Sequence, residues 1–169
     1  HSLGATIGRE VIRRNPGKVR GLISVDGAFD SVPPEPKARA AWEKLRADRL
    51  AGFKRDFRGA MKPFVESMLG PAIKPELKRI ILDQMLSADP HVAISEGRAM
   101  NDPHNWRIES IATPTLAMYV DSQFCPPDFP ERLKRLFPNL TCQRWQGVGH
   151  FFFMEKPDKF NRQVIEFIR

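Results

Sequence analysis

The chain begins His1-Ser2-Leu3-Gly4-Ala5-Thr6-Ile7-Gly8-Arg9-Glu10-Val11-Ile12-Arg13-Arg14-Asn15-Pro16-Gly17-Lys18-Val19-Arg20-Gly21-Leu22-Ile23-Ser24-Val25-Asp26-Gly27, and the fold is decided in this stretch. Ala5, Ile7, Val11 and Ile12 recur at helical spacing, so residues 3 to 15 read as an amphipathic helix. Arg13 and Arg14 at its C-terminal end suit the macrodipole, and Asn15-Pro16-Gly17 stops it. Gly4 is expected to remove a side chain where the helix presses on a sheet. Val19 to Val25 is a short apolar run with branched residues, the pattern of a buried parallel strand, closed by Asp26-Gly27. Ser2-Leu3-Gly4 by itself is a weak signal, since such triplets are commonly loops or helix N-caps.

Working outward, Pro33-Pro34 opens a stretch to about Trp106 with no convincing strand. A helix is predicted from Lys37 to about Met68, broken near Gly52 and Pro63, with Phe53, Phe57, Met61, Phe64 and Met68 on one face. Another runs from Lys74 to Ser87, with Pro75 in its first turn and Leu77, Ile80, Ile81 and Met85 inward. A third is capped by Asp89 and continues from Pro90 to about Met100. Strand character returns at Thr115 to Val120, after Pro114. A helix from about Pro127 to Phe137, a strand from Thr141 to Trp145, a loop from Gln146 to Lys156 and a helix from Pro157 to Ile168 complete the chain. This order is α/β with parallel strands and an all-helical insertion. The expected organisation is a core part over 1–32, an all-helical part over 33–106 and a second core part over 107–169.

Of the 169 residues, 41% are hydrophobic and 28% charged, the balance of a globular protein. No apolar run has the length of a membrane span, so no membrane partner is expected. The net charge of +7 raises the question of nucleic acid. Much of it lies between Lys37 and Lys62, where Trp42, Phe53 and Phe57 follow helical spacing and do not form a stacking platform. The run reads as a solvated helix face, and no nucleic-acid partner is expected. Cys125 and Cys142 match no metal or redox spacing and read as reduced thiols, consistent with the cytoplasm. His1, His91, His104 and His150 lack zinc-ligand spacing, so neither metal nor cofactor is expected.

Two motifs, taken with this order of elements, resemble the α/β-hydrolase superfamily. The first is His1-Ser2-Leu3-Gly4 with the strand at Val19 to Asp26, which is similar to the nucleophile elbow helix and the following strand. The second is Gly147-Val148-Gly149-His150-Phe151 followed by Glu155-Lys156-Pro157-Asp158, similar to the catalytic-histidine loop and last helix. With Pro114 opening a strand, the resemblance covers essentially the whole chain. It implies the C-terminal part of an α/β-hydrolase sheet, three parallel strands with flanking helices, and makes the all-helical part over 33–106 a cap or lid. One sheet edge would lie bare, so the missing N-terminal half of the same fold is an expected partner.

The resemblance further implies a triad of Ser2 as nucleophile, an acid, and His150 as general base, with the Leu3 backbone N–H as half of an oxyanion hole. For the acid, Asp121 is favoured; the family's usual register points instead to Gln123, which holds no charge, and Asp26 is held in reserve. Serine in place of aspartate argues for an acyl-enzyme route on a small, largely apolar ester, thioester, lactone or activated ketone. Phe29, Phe57, Met61, Phe64 and Phe152 are candidates for the substrate pocket, with plain core packing as the competing reading. A ligand-binding or signalling protein with slow or no turnover is the alternative function, kept open by the choice between Asp121 and Gln123.

Overall fold

In a computed structural model, residues 1–27, 29, 35–102, 105, 109–122, 125 and 128–169 are described. Helix α1 (Leu3–Arg14) leads to strand β1 (Leu22–Val25), then α2 (Pro36–Arg55), α3 (Phe57–Glu66), α4 (Pro75–Leu86) and α5 (Pro90–Asn101). Strand β2 (Thr115–Val120), α6 (Phe129–Leu136), β3 (Leu140–Trp145), α7 (Phe152–Glu155) and α8 (Pro157–Ile168) follow. The chain divides into a sheet unit, His1–Ser31 with Gly70–Ala72 and Ile108–Arg169, and a helical unit, Val32–Leu69 with Ile73–Arg107. Gly70–Ala72, expected in the lid, thus belongs with the sheet.

Among the described residues the sheet is three-stranded and parallel, in the order β1-β2-β3. All six residues of β2 are buried, which is why its sequence is apolar throughout and shows no alternation. Its two faces nevertheless serve different layers, because successive side chains of a strand point oppositely. Ala117 and Tyr119 join Ala5 and Ile12 of α1 and Leu133 and Leu136 of α6. Leu116, Met118 and Val120 join Trp145 and Phe152, with Phe160, Val164 and Phe167 of α8 packed against them. A fully buried phenylalanine such as Phe152 contributes roughly 1.5–3 kcal/mol by transfer from water.

Several boundaries differ from expectation for local reasons. β1 begins at Leu22, three residues late, where the Leu22 N–H first finds a ladder partner in the Pro114 carbonyl at 2.9 Å. The helix-to-helix break falls at Asp56, away from Gly52 and Pro63, because the Asp56 carboxylate accepts the Gly59 N–H at 3.0 Å and caps α3. Pro63 stays inside α3. In the same unit Ile81 is buried, whereas Ile80, expected inward, is exposed. Gly4 faces open space; it is Gly8, where a Cβ would lie 3.0 Å from Leu22 Cδ1, that lets α1 approach the sheet. No helix among the described residues is long and apolar enough to cross a membrane.

Candidate active site

β1 runs directly into Asp26, whose φ of 46° is uncommon for a non-glycine residue. Neighbouring structure holds it there. The Asp26 N–H donates to the Met118 carbonyl at 2.7 Å, and the Val120 N–H donates to Asp26 Oδ1 at 3.1 Å. The next residue must be glycine, since a Cβ on Gly27 would lie 2.3 Å from Ser24 Oγ and 2.4 Å from the Ala5 Cβ. Asp26 Oδ2 is left to meet His150 Nδ1 at 2.5 Å, with both side chains largely buried. A carboxylate on Nδ1 fixes the imidazole tautomer and leaves Nε2 as the free basic nitrogen of the neutral ring.

Ser2 reaches the same end of the sheet. Its N–H donates to the Val25 carbonyl at 3.0 Å, one residue before Asp26. Its backbone, at φ 53° and ψ −123°, is strained for an L-residue, the conformation of a sharp turn into a helix. The Gly4 and Ala5 N–H groups turn back onto the His1 and Ser2 carbonyls at 2.8 and 3.1 Å. Leu3, as first residue of α1, carries one of the N–H groups that a helix cannot satisfy internally.

The His150 loop is tied from three directions. Gly147 takes φ 70°, which only glycine adopts without cost. The Gly149 N–H donates to Glu155 Oε1 at 2.8 Å, and the Phe152 N–H donates to the Gly149 carbonyl at 3.0 Å. On the far side, His1 Nε2 donates to the His150 carbonyl at 3.0 Å, and the two imidazole rings lie 4.3 Å apart.

Asp121, the favoured acid, does not meet His150. Its carboxylate is bonded to Arg144 on β3, and that bond holds the Arg144 guanidinium above its ordinary pKa. The physical reason is register: Arg144 pairs with Tyr119 across the ladder, so its side chain has the Asp121 turn within reach. Gln123 lies outside the described residues. The acid beside the imidazole is the reserve, Asp26.

Comparison with known proteins follows the same lines. No family model matches the chain. It is 26% identical over 182 residues to the pimeloyl-[acyl-carrier protein] methyl ester esterase of Nitrosospira multiformis, covering 99% of this chain and 66% of that protein. It is 25% identical to the AB hydrolase superfamily protein YisY of Bacillus subtilis, covering 98% and 63%. An esterase from Exiguobacterium antarcticum superposes with a TM-score of 0.81 at 19% identity, over 99% of this chain and 64% of that one. The chain is related to the α/β-hydrolases. It spans about two thirds of the length of these relatives.

The aromatic candidates divide by burial. Phe29 is 2% exposed and packs edge-on against Phe137 at 4.8 Å; Phe152 is fully buried, 4.5 Å from Trp145. Both are packed in the core of the sheet unit. Phe57 and Met61 in the helical unit are likewise buried, Phe57 edge-on to Phe53 at 5.7 Å. Phe64 alone of the five keeps partial exposure, with the Arg49 guanidinium 4.1 Å over its ring. The basic run is also less solvated than expected: burial, then the neighbouring Arg49, pulls Arg46 down to about 10, and Arg46 Nε donates to Asn101 Oδ1 at 2.6 Å. Two contributors escaped the sequence reading. Glu155 was visible only as part of a motif, and His1 only as the residue before Ser2; neither signals its partner by spacing.

Proposed function

We propose that this protein is a serine hydrolase that cleaves a small, largely apolar ester or related acyl compound through an acyl-enzyme, with Ser2, Asp26 and His150 as its triad. The observation that carries the proposal is the Asp26–His150 bond at the strand end where the strained Ser2 turn begins. In this reading His150 Nε2 takes the Ser2 Oγ proton as Oγ bonds to the substrate carbonyl carbon. The resulting oxyanion accepts a hydrogen bond from the Leu3 N–H, which the helix start leaves free. His150 then returns the proton to the departing alkoxide, and water repeats the sequence to release the acid. Asp26 stabilises the imidazolium formed in each half and keeps Nδ1 protonated.

Relatives named as a methyl ester esterase and an AB hydrolase superfamily protein support the reaction class. An enol-lactonase from Burkholderia xenovorans, with a TM-score of 0.77 at 15% identity, shares only the fold. The non-turnover alternative drew its force from the doubt between Asp121 and Gln123. A carboxylate already bonded to His150 weakens it. Treatment of the full-length protein with a fluorophosphonate is expected to label Ser2, with labelling lost in Ser2→Ala and His150→Ala. An unlabelled Ser2 in a protein whose circular dichroism is that of a folded chain overturns the proposal.

A further inference from the structure

One carboxylate near the site is not used by the triad. Glu155 stands on the single turn of α7, and its Oε1 accepts the Gly149 N–H at 2.8 Å. Gly149 immediately precedes His150, so this bond holds the Val148–Gly149 peptide, while the Phe152 N–H on the Gly149 carbonyl holds the next one, which carries His150. The other oxygen is confined as well: a Cβ placed on Gly70 would lie 2.5 Å from Glu155 Oε2 and 2.6 Å from the Gly149 nitrogen. Gly70 is buried and belongs to the same unit as the sheet. Its backbone therefore closes over the carboxylate and the amide together, and only a residue without a side chain admits that approach.

A charged acceptor strengthens a backbone N–H bond roughly twofold over a neutral one. The loop needs such a hold, because Gly147 two residues earlier carries a left-handed φ and supplies no side-chain anchor. The His1 ring holds the opposite side of the same residue through the His150 carbonyl. His150 is thus fastened at its own carbonyl and at Nδ1, and the residue before it is held through its N–H by Glu155.

We infer that Glu155, with Gly70 closing over it, is a positioning residue that sets the register of the His150 imidazole against Asp26. The inference rests on the triad proposed above, so its test reads the histidine directly as well as turnover. In the full-length protein, the low-field proton resonance of the His150 Nδ1–H bonded to Asp26 is recorded for the parent, Glu155→Ala, Glu155→Gln and Gly70→Ala. Glu155→Ala and Gly70→Ala are expected to shift or broaden it while the backbone amide spectrum stays dispersed. Glu155→Gln, whose amide oxygen still accepts the Gly149 N–H, is expected to keep it. Misplacement of a catalytic group costs up to about 100-fold, so kcat on an activated ester should fall about 10- to 100-fold in Glu155→Ala with KM within about twofold.

An unchanged resonance in both Glu155→Ala and Gly70→Ala overturns the positioning role. Should the parent show the resonance but no turnover, the hydrolase proposal fails and the resonance still decides the role of Glu155. Gly70→Ala guards against a Glu155→Ala chain that does not fold, since it crowds the same carboxylate without removing it.

Discussion

Two strands of the same sheet end in an aspartate, and the two aspartates have opposite fates. Asp26 after β1 is nearly buried, held by the Val120 N–H and bonded to His150. Asp121 after β2 is partly exposed and neutralised by Arg144. The two turns stand on neighbouring strands, and Val120, the residue before Asp121, donates its N–H to Asp26. A strand-end carboxylate is therefore not assigned by chain position alone. The side chain that reaches it first, imidazole or guanidinium, decides what it does.

Exchange of each carboxylate for its amide tests that contrast most severely. Asp26→Asn is expected to lower kcat/KM on an activated ester on the order of 10⁴-fold, the scale set by loss of a triad carboxylate. Asp121→Asn removes only an exposed ion pair, generally worth about 0–1 kcal/mol, and should leave turnover within about threefold. Steady-state kinetics on both variants reads the result, and the reverse ranking would break the assignment of Asp26.

A smaller effect is expected from the packing beneath Asp26. Gly27→Ala forces a methyl against Ser24 Oγ and Ala5, and overpacking of this kind costs roughly 1–3 kcal/mol. The urea midpoint should fall accordingly, and activity should fall with it because the same turn aims Asp26. A Gly27→Ala protein with the parent midpoint and turnover would separate that turn from the site.

The smallest effect is chemical. Burial, then the negative charge of Asp26 and more weakly that of Asp121, pushes the Cys125 thiol from 9.0 to about 12. Alkylation by iodoacetamide at pH 9 should be slow in the folded protein. Asp26→Asn should speed it more than Asp121→Asn does, and the opposite order, read by mass spectrometry, would place the wrong carboxylate beside the thiol. The sign for stability follows from the raised pKa. The unfolded thiol ionises near pH 9 while the folded one stays neutral, so this contribution is complete below pH 9 and is lost as pH rises toward 12.

The residues themselves carry much of the fold. The apolar spacing of α1, the unbroken hydrophobic β2 and the Asp89-Pro90 start of α5 can be read without coordinates, since each depends on neighbours within a few positions. The helix break at Asp56 is less legible, because a cap is one side-chain bond competing with glycine and proline close by. The site divides in the same way. Ser2, Leu3 and His150 sit in local motifs whose turn chemistry is written in glycine spacing. The partner of His150 lies 124 residues away in the chain, and no periodicity links them. Residue types and their local order determined a parallel α/β sheet with a serine turn at one strand end and a histidine loop at another. Only the tertiary structure decided which aspartate faces the imidazole, because that choice depends on the ladder register that gives Asp121 to Arg144 and leaves Asp26 for His150.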